Sequence, residues 1–329
     1  MKNLKTISLV ILLSVLHFHV SNAAAGIEDE AVRFANANGT AIAYLDLGPK
    51  TAEPIVLIMG LSAQLTAWDD AFVQPLLDAG YRVVLFDNRD VGLSQKFYQH
   101  GQPLVWWHLL KNSVGLDVTA PYTLNDMAAD TIGLMDALSI SKAHIVGASM
   151  GGMIAQICAI DTPERVLSLT SIMSTTGNPD LPVHPEVLLG NYNKKDDQSP
   201  EAIIENTTQV ILGLSAPDYP TPELLKEKIR RSYLRSYYPP GGSRQLLASA
   251  AAAPRDEQLK QLKLPTLVMH GVQDPLFPTV HAEHLAKLVP AAELELIEGM
   301  GHNFEPKTAA QMAQRLLRFV QRGDLAASL

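Results

Sequence analysis

The sequence predicts an α/β protein: a mostly parallel sheet with helices on both faces and an inserted helical lid. Three observations carry this. Short runs rich in Val, Ile and Leu alternate with stretches of helical periodicity along the chain. The runs at 54–59 and 81–86 are almost wholly apolar, as strands buried on both faces are. The alternation breaks over residues 178–255, where Pro179, Pro200, Pro222 and Pro239 punctuate short helical pieces, and it resumes afterwards.

Taken in order, the chain begins with Lys2 and Lys5 ahead of an apolar run at 7–16, followed by small residues up to Ala25. That is the pattern of a secretory signal peptide, residues 1–23, cleaved after Ala23 or alternatively after Ala25. The competing reading is an uncleaved anchor, but the run is short for a span and His17 and His19 interrupt its end. Export to the periplasm or beyond is expected, with no stable membrane anchor after cleavage. Next, residues 32–34 and 41–47 flank Asn38-Gly39, a hairpin signal. Strand 54–59, a helical pattern at 68–79 and strand 81–86 follow. Residues 123–138 read as a helix capped by Thr123, with Asp126 in its first turn. Strand 143–146, helix 152–160 and strand 167–173 close the first part of the core, residues 24–177. In the lid, 201–214 and 222–237 are the clearest helices, and 248–254 leads back. Strand 266–269, helix 281–288, strand 294–297 and a helix at 308–320 make up the second part, within residues 256–329.

Composition narrows the function. The formal charge is −8, and removal of Lys2 and Lys5 leaves 24 basic against 34 acidic residues. Nothing electrostatic therefore favours a nucleic acid partner. The single cysteine, Cys158, lies in an apolar helical stretch and reads as core packing. No metal-ligand spacing and no glycine-rich dinucleotide loop occurs, so neither a metal nor another cofactor is expected.

The chemistry is concentrated in Gly147-Ala148-Ser149-Met150-Gly151, a G-x-S-x-G placed between a strand and a helix. A serine on that turn stands at the carboxyl end of its strand, where parallel sheets bind ligands. Serine alone is a weak nucleophile and needs a base, which in turn needs an orienting acid. Strand 266–269 runs into His270-Gly271-Val272-Gln273-Asp274-Pro275, and the next strand runs into Glu298-Gly299-Met300-Gly301-His302. Asp274 and His302 thus follow Ser149 in the order Ser, Asp, His, each just past a strand. Asp180 is the rival acid. Among the other histidines, His281 and His284 read as helix surface and His270 as structural. His100, His108, His144 and His184 read as surface or packing. Two backbone N–H groups should face the developing oxyanion: that of Met150, and that of Leu61 in the loop after strand 54–59, with Gly60 as fallback; Ser62 either adds a hydroxyl or serves the turn alone.

These motifs resemble those of the α/β-hydrolase superfamily, and in particular the lid-bearing ester hydrolases of the aclacinomycin methylesterase type. The resemblance spans about residues 30–322. It rests on Ile58-Met59-Gly60 with Trp68 downstream, Phe86-Asp87-Asn88-Arg89-Asp90-Val91-Gly92-Leu93-Ser94, Gly147 to Gly152, His270 to Pro275, and Glu298 to His302. It implies Ser149 as nucleophile, His302 as base, Asp274 as its acid, and Leu61 and Met150 as oxyanion donors. Met59-Gly60 departs from the superfamily's common His-Gly, and Leu61 stands where this type carries a smaller residue, which points to a different acyl pocket. The Asp87–Ser94 loop reads as structural, tied down by Asp87, Arg89 and Asp90. Tyr98, Trp106 and Trp107 line an entrance or fill core, and Met150, Met153, Met173 and Met300 are apolar lining or packing, not metal ligands. The expected activity is hydrolysis of a small or medium apolar carboxylic ester without a cofactor. A serine nucleophile argues against a dehalogenase. Lactone, amide, carbon–carbon and perhydrolysis chemistry stay open, as does a non-catalytic ligand-binding relative, and the oligomeric state is not specified.

Overall fold

Strands β1 (Arg33–Ala37) and β2 (Thr40–Leu47) form the predicted hairpin, with Asn38 and Gly39 at φ 51° and 75° in its turn. The computed structural model describes residues 31–105, 107, 118–184, 187, 198–217 and 221–327. The expected export signal, Trp106 and His108 fall outside these residues. Six further strands follow: β3 (Pro54–Ile58), β4 (Arg82–Phe86), β5 (Ala143–Ala148), β6 (Val166–Ile172), β7 (Thr266–Gly271) and β8 (Glu293–Ile297). They make one eight-stranded sheet in the order β1-β2-β4-β3-β5-β6-β7-β8. The hairpin and the β2–β4 pair are antiparallel, and the remaining pairs are parallel.

The helices sort onto the two faces by where their apolar stripes point. Helices α1 (Asp70–Asp78) and α9 (Pro306–Ala327) bury Phe72, Leu76, Met312 and Leu316 against one face. Helices α2 (Leu124–Ala137), α3 (Met150–Asp161) and α8 (Val280–Leu288) bury Met127, Ile154 and Leu285 against the other. The Thr123 cap is a full capping box, with the Asp126 carboxylate returning to the Thr123 N–H. Cys158 is buried in α3, and that burial pushes its thiol pKa up to about 12, so it packs as a small apolar residue.

Between β6 and β7 lie helices α4 (Pro200–Leu214), α5 (Pro222–Arg235) and α6 (Pro239–Ala250), and then the short α7 (Asp256–Leu259). Helix α6 was hidden in sequence by Pro239-Pro240-Gly241-Gly242, which reads as a break. The prolines occupy its first turn, where no N–H partner is needed. Gly241 is required because a Cβ there would overlap the Asp90 carbonyl.

His281 is fully buried, not surface. It faces inward from α8, with Nδ1 2.9 Å from Thr175 Oγ1 and Nε2 2.8 Å from the Pro182 carbonyl. His284 is half-buried and paired with Asp256 at 2.7 Å. Tyr98 and Trp107 do not fill core: they are 70% and 45% exposed, and Tyr98 stands edge-on to Tyr238 of the segment between β6 and β7.

Candidate active site

Strands β3, β5, β7 and β8 all end at one edge of the sheet, and the four loops that leave them meet there. Ser149 is the pivot between β5 and α3. It sits at φ 54°, ψ −120°, a region L-residues avoid. The neighbours that hold it there are named by the structure. The Ser149 N–H donates to Ile172 O at 2.9 Å, and the Ser174 hydroxyl donates to Ser149 O at 2.7 Å. The flanking glycines have no alternative: a Cβ on Gly147 would overlap the Gly151 carbonyl, and one on Gly151 would overlap the Ile58 carbonyl.

The structure brings the three predicted side chains together. Ser149 Oγ lies 2.9 Å from His302 Nε2, and His302 Nδ1 lies 2.7 Å from Asp274 Oδ2. With Nδ1 donating to the carboxylate, Nε2 is left as an acceptor facing the serine hydroxyl. Asp274 is 6% exposed, and its Oδ1 accepts the Leu276 and Phe277 N–H groups at 2.9 Å each. Burial pushes its pKa up, but His302 and the hydrogen bonds from His270 and His302 outweigh that and hold it well below the usual carboxylate range. Asp180 is exposed in a separate turn, where its N–H donates to Asn178.

A pH consequence follows from that depressed pKa. A carboxylate with a folded pKa below its ordinary 3.8 binds protons less readily folded than unfolded. Its contribution to stability is therefore complete above about pH 4 and is lost as the pH falls through the folded value. Urea midpoints measured from about pH 5 to about pH 2 should fall steeply in wild type. They should fall less steeply in Asp274→Asn.

The loop after β3 crosses directly over the serine: a Cβ on Gly60 would lie 3.1 Å from Ser149 Cβ and 3.2 Å from Ala148 O. Gly60 O accepts from Ala63 N at 3.3 Å, so the planar trans peptide turns the Leu61 N–H the opposite way. Met150, first in α3, has an N–H with no acceptor inside its own helix. Ser62 stands at φ 60°, and its N–H donates to Gln245 Oε1 at 2.8 Å. Gln245 Nε2 in turn donates to Arg89 O, so α6 fixes the loop.

The Asp87–Ser94 loop is tied down as its charges suggested. Asp87 accepts the Leu65 and Leu93 N–H groups at 2.7 and 2.8 Å and pairs with Arg235 of α5. Arg89 grips Asp130 of α2 with two bonds of 2.7 Å. Asp90 pairs with Arg244 of α6, both fully buried. The four methionines are all buried.

Sequence reasoning missed the groups that hold this edge from α4, α5 and α6. The His302 N–H donates to Leu214 O at 2.6 Å, and Ala216 N donates to Glu305 Oε1 at 3.0 Å. Together with Gln245, Arg235 and Arg244 they act across gaps that no local motif spans. The one available signal was Gly301, whose missing Cβ leaves room for the Leu214–Ala216 turn.

An eight-stranded, mostly parallel sheet with a serine turn after β5 defines a class, and comparison with known proteins agrees with it. Residues 53–304 match the model of the alpha/beta hydrolase fold family, and the chain belongs to that family. It is similar to rhodomycin D methylesterase DnrP of Streptomyces peucetius, at 28% identity over 283 residues covering 78% of this chain and 87% of that enzyme. Among solved structures it is similar to the enol-lactonase of Burkholderia xenovorans, with a TM-score of 0.67, 21% identity and coverage of 88% and 100%. A thermophilic esterase of Thermogutta terrifontis gives a TM-score of 0.66, 22% identity and coverage of 89% and 99%. At these identities the two structures speak for the fold alone.

Proposed function

We propose that this protein is a serine ester hydrolase that cleaves carboxylic esters of small or medium apolar substrates through an acyl-enzyme on Ser149. The observation that carries the reading is the unbroken chain from Ser149 Oγ through His302 to Asp274, at 2.9 and 2.7 Å. Ser149 Oγ attacks the ester carbonyl while His302 Nε2 takes the hydroxyl proton. Asp274 holds the imidazole by its Nδ1–H and stabilises the imidazolium that forms. The negative charge on the carbonyl oxygen is met by the Leu61 and Met150 N–H groups. His302 then gives its proton to the leaving alcohol oxygen as the ester C–O bond breaks. Water, deprotonated by the same histidine, attacks the acyl carbonyl, and His302 returns that proton to Ser149 Oγ as the acyl C–O bond breaks and the acid leaves.

An ester, rather than another bond, is favoured by the similarity to a methylesterase over most of both chains. The segment carrying α4 to α6 serves as the lid that limits the acyl and alcohol groups. The leader-like residues 1–23 support action outside the cytoplasm. The test is hydrolysis of p-nitrophenyl esters graded from acetate to palmitate. A short- or medium-chain optimum with sustained turnover is expected. A long-chain optimum would make the substrate a lipid, and no turnover on any member would move the protein to another bond type or to ligand binding.

A further inference from the structure

The carboxylate of Asp274 faces two imidazoles. Its Oδ2 lies 2.7 Å from His302 Nδ1 and 3.2 Å from His270 Nε2. His270 Nε2 is also 2.8 Å from the Phe277 carbonyl, which closes the turn that carries Asp274. The ring, at the end of β7, is fully buried, and its Nδ1 has no hydrogen-bond partner among the described residues. An orphaned buried N–H is rarer and costlier than an orphaned acceptor, so the single proton belongs on Nε2. The His270 Nε2–H is thus directed at Phe277 O with Asp274 Oδ2 on its flank.

We propose that His270 is a second positioning residue of the site: its Nε2–H seats the Asp274 carboxylate and moderates the negative charge offered to His302. This rests on the role proposed above for the three side chains. The sign of the effect is fixed by geometry. The positive end of the His270 N–H dipole sits beside the oxygen that stabilises the His302 imidazolium, so it opposes protonation of His302. The other titratable groups around His270 do not supply this effect. His281, packed against Phe277 from α8, has its ring nitrogens engaged by Thr175 and the Pro182 carbonyl and its pKa lowered by burial, and His284 and Asp256 pair with each other.

The test is the titration of His302, followed by NMR of ring-labelled protein without substrate, in wild type, His270→Phe, His270→Gln and His270→Asn. Removing the donor in His270→Phe should move the His302 midpoint upward by about 0.5–1 pH unit. The acid limb of kcat/KM should move with it, and kcat/KM near neutral pH should fall about tenfold. Glutamine places its amide where Nε2 sits and should restore both, whereas asparagine reaches only the Nδ1 position and should not. If His270→Phe fails to fold, the Gln–Asn comparison alone decides. A His302 midpoint that is unchanged or lowered in folded His270→Phe, or equal behaviour of the Gln and Asn variants, would overturn the proposal. The NMR titration needs no turnover, so absence of ester hydrolysis sinks the functional reading and leaves this inference to be judged separately.

Discussion

Ser149→Ala is expected to lower kcat on an activated ester by about 10⁶-fold, the scale of loss on removing the nucleophile of a serine protease. The substitution deletes one oxygen from a side chain that contributes little to the core. Alanine inherits the φ of 54°, so the backbone strain at the turn is unchanged. The same two backbone bonds, to Ile172 and from Ser174, stay in place. Urea midpoint and circular dichroism should therefore match wild type while turnover collapses. KM should change little, because the hydroxyl makes its large gain in the transition state and not in the bound ester. A loss of tenfold or less in a folded variant would mean that another group is the nucleophile.

Arg244→Met lowers stability by about 3–5 kcal/mol, the range seen when one partner of a buried ion pair is removed. Arg244 and Asp90 are both fully buried, and the fork of Nε and Nη2 meets the two carboxylate oxygens at 2.8 Å each. Arg244 Nη2 also reaches Tyr238 Oη at 3.1 Å, and the guanidinium lies over that ring. Burial pushes the Asp90 pKa up, while Arg244 and the Phe97 N–H outweigh it and hold the carboxyl ionised. Methionine fills much of the arginine's volume but leaves that charge in the interior with the Phe97 N–H and the Tyr122 hydroxyl and without its paired cation. Asp90→Asn on the Arg244→Met background should recover part of the loss, because no isolated charge is then buried. Urea unfolding of the two single variants and the double variant measures this. Activity should fall with stability in Arg244→Met, since Gln245, the next residue on α6, holds the Ser62 N–H. A cost below about 1 kcal/mol would show that α6 is only loosely bound to the core.

Much of this was legible in local sequence. Buried parallel strands announce themselves as apolar runs, and 54–59 and 81–86 became β3 and β4 with shifts of a residue or so at their ends. The places of Ser149, Asp274 and His302 were legible because each lies just past a strand, and parallel strands deliver their ends to one edge. What was not legible has a common physical cause. Gln245 to Ser62, Arg244 to Asp90 and Arg235 to Asp87 are polar pairs far apart in the chain, and their partners have no fixed spacing. His281 was misread because a polar residue on a helix is usually solvated; here Thr175 and the Pro182 carbonyl satisfy both ring nitrogens. Helix α6 was hidden by prolines that are harmless in a first turn.

The most direct measurement is to react the protein with a fluorophosphonate, which mimics the tetrahedral intermediate and stays bonded to its nucleophile, and to map the adduct by peptide mass spectrometry. One adduct is expected, on Ser149, formed in step with the loss of ester turnover and greatly slowed in His302→Ala. An adduct on a different residue, or full turnover by protein whose Ser149 is already modified, would contradict it.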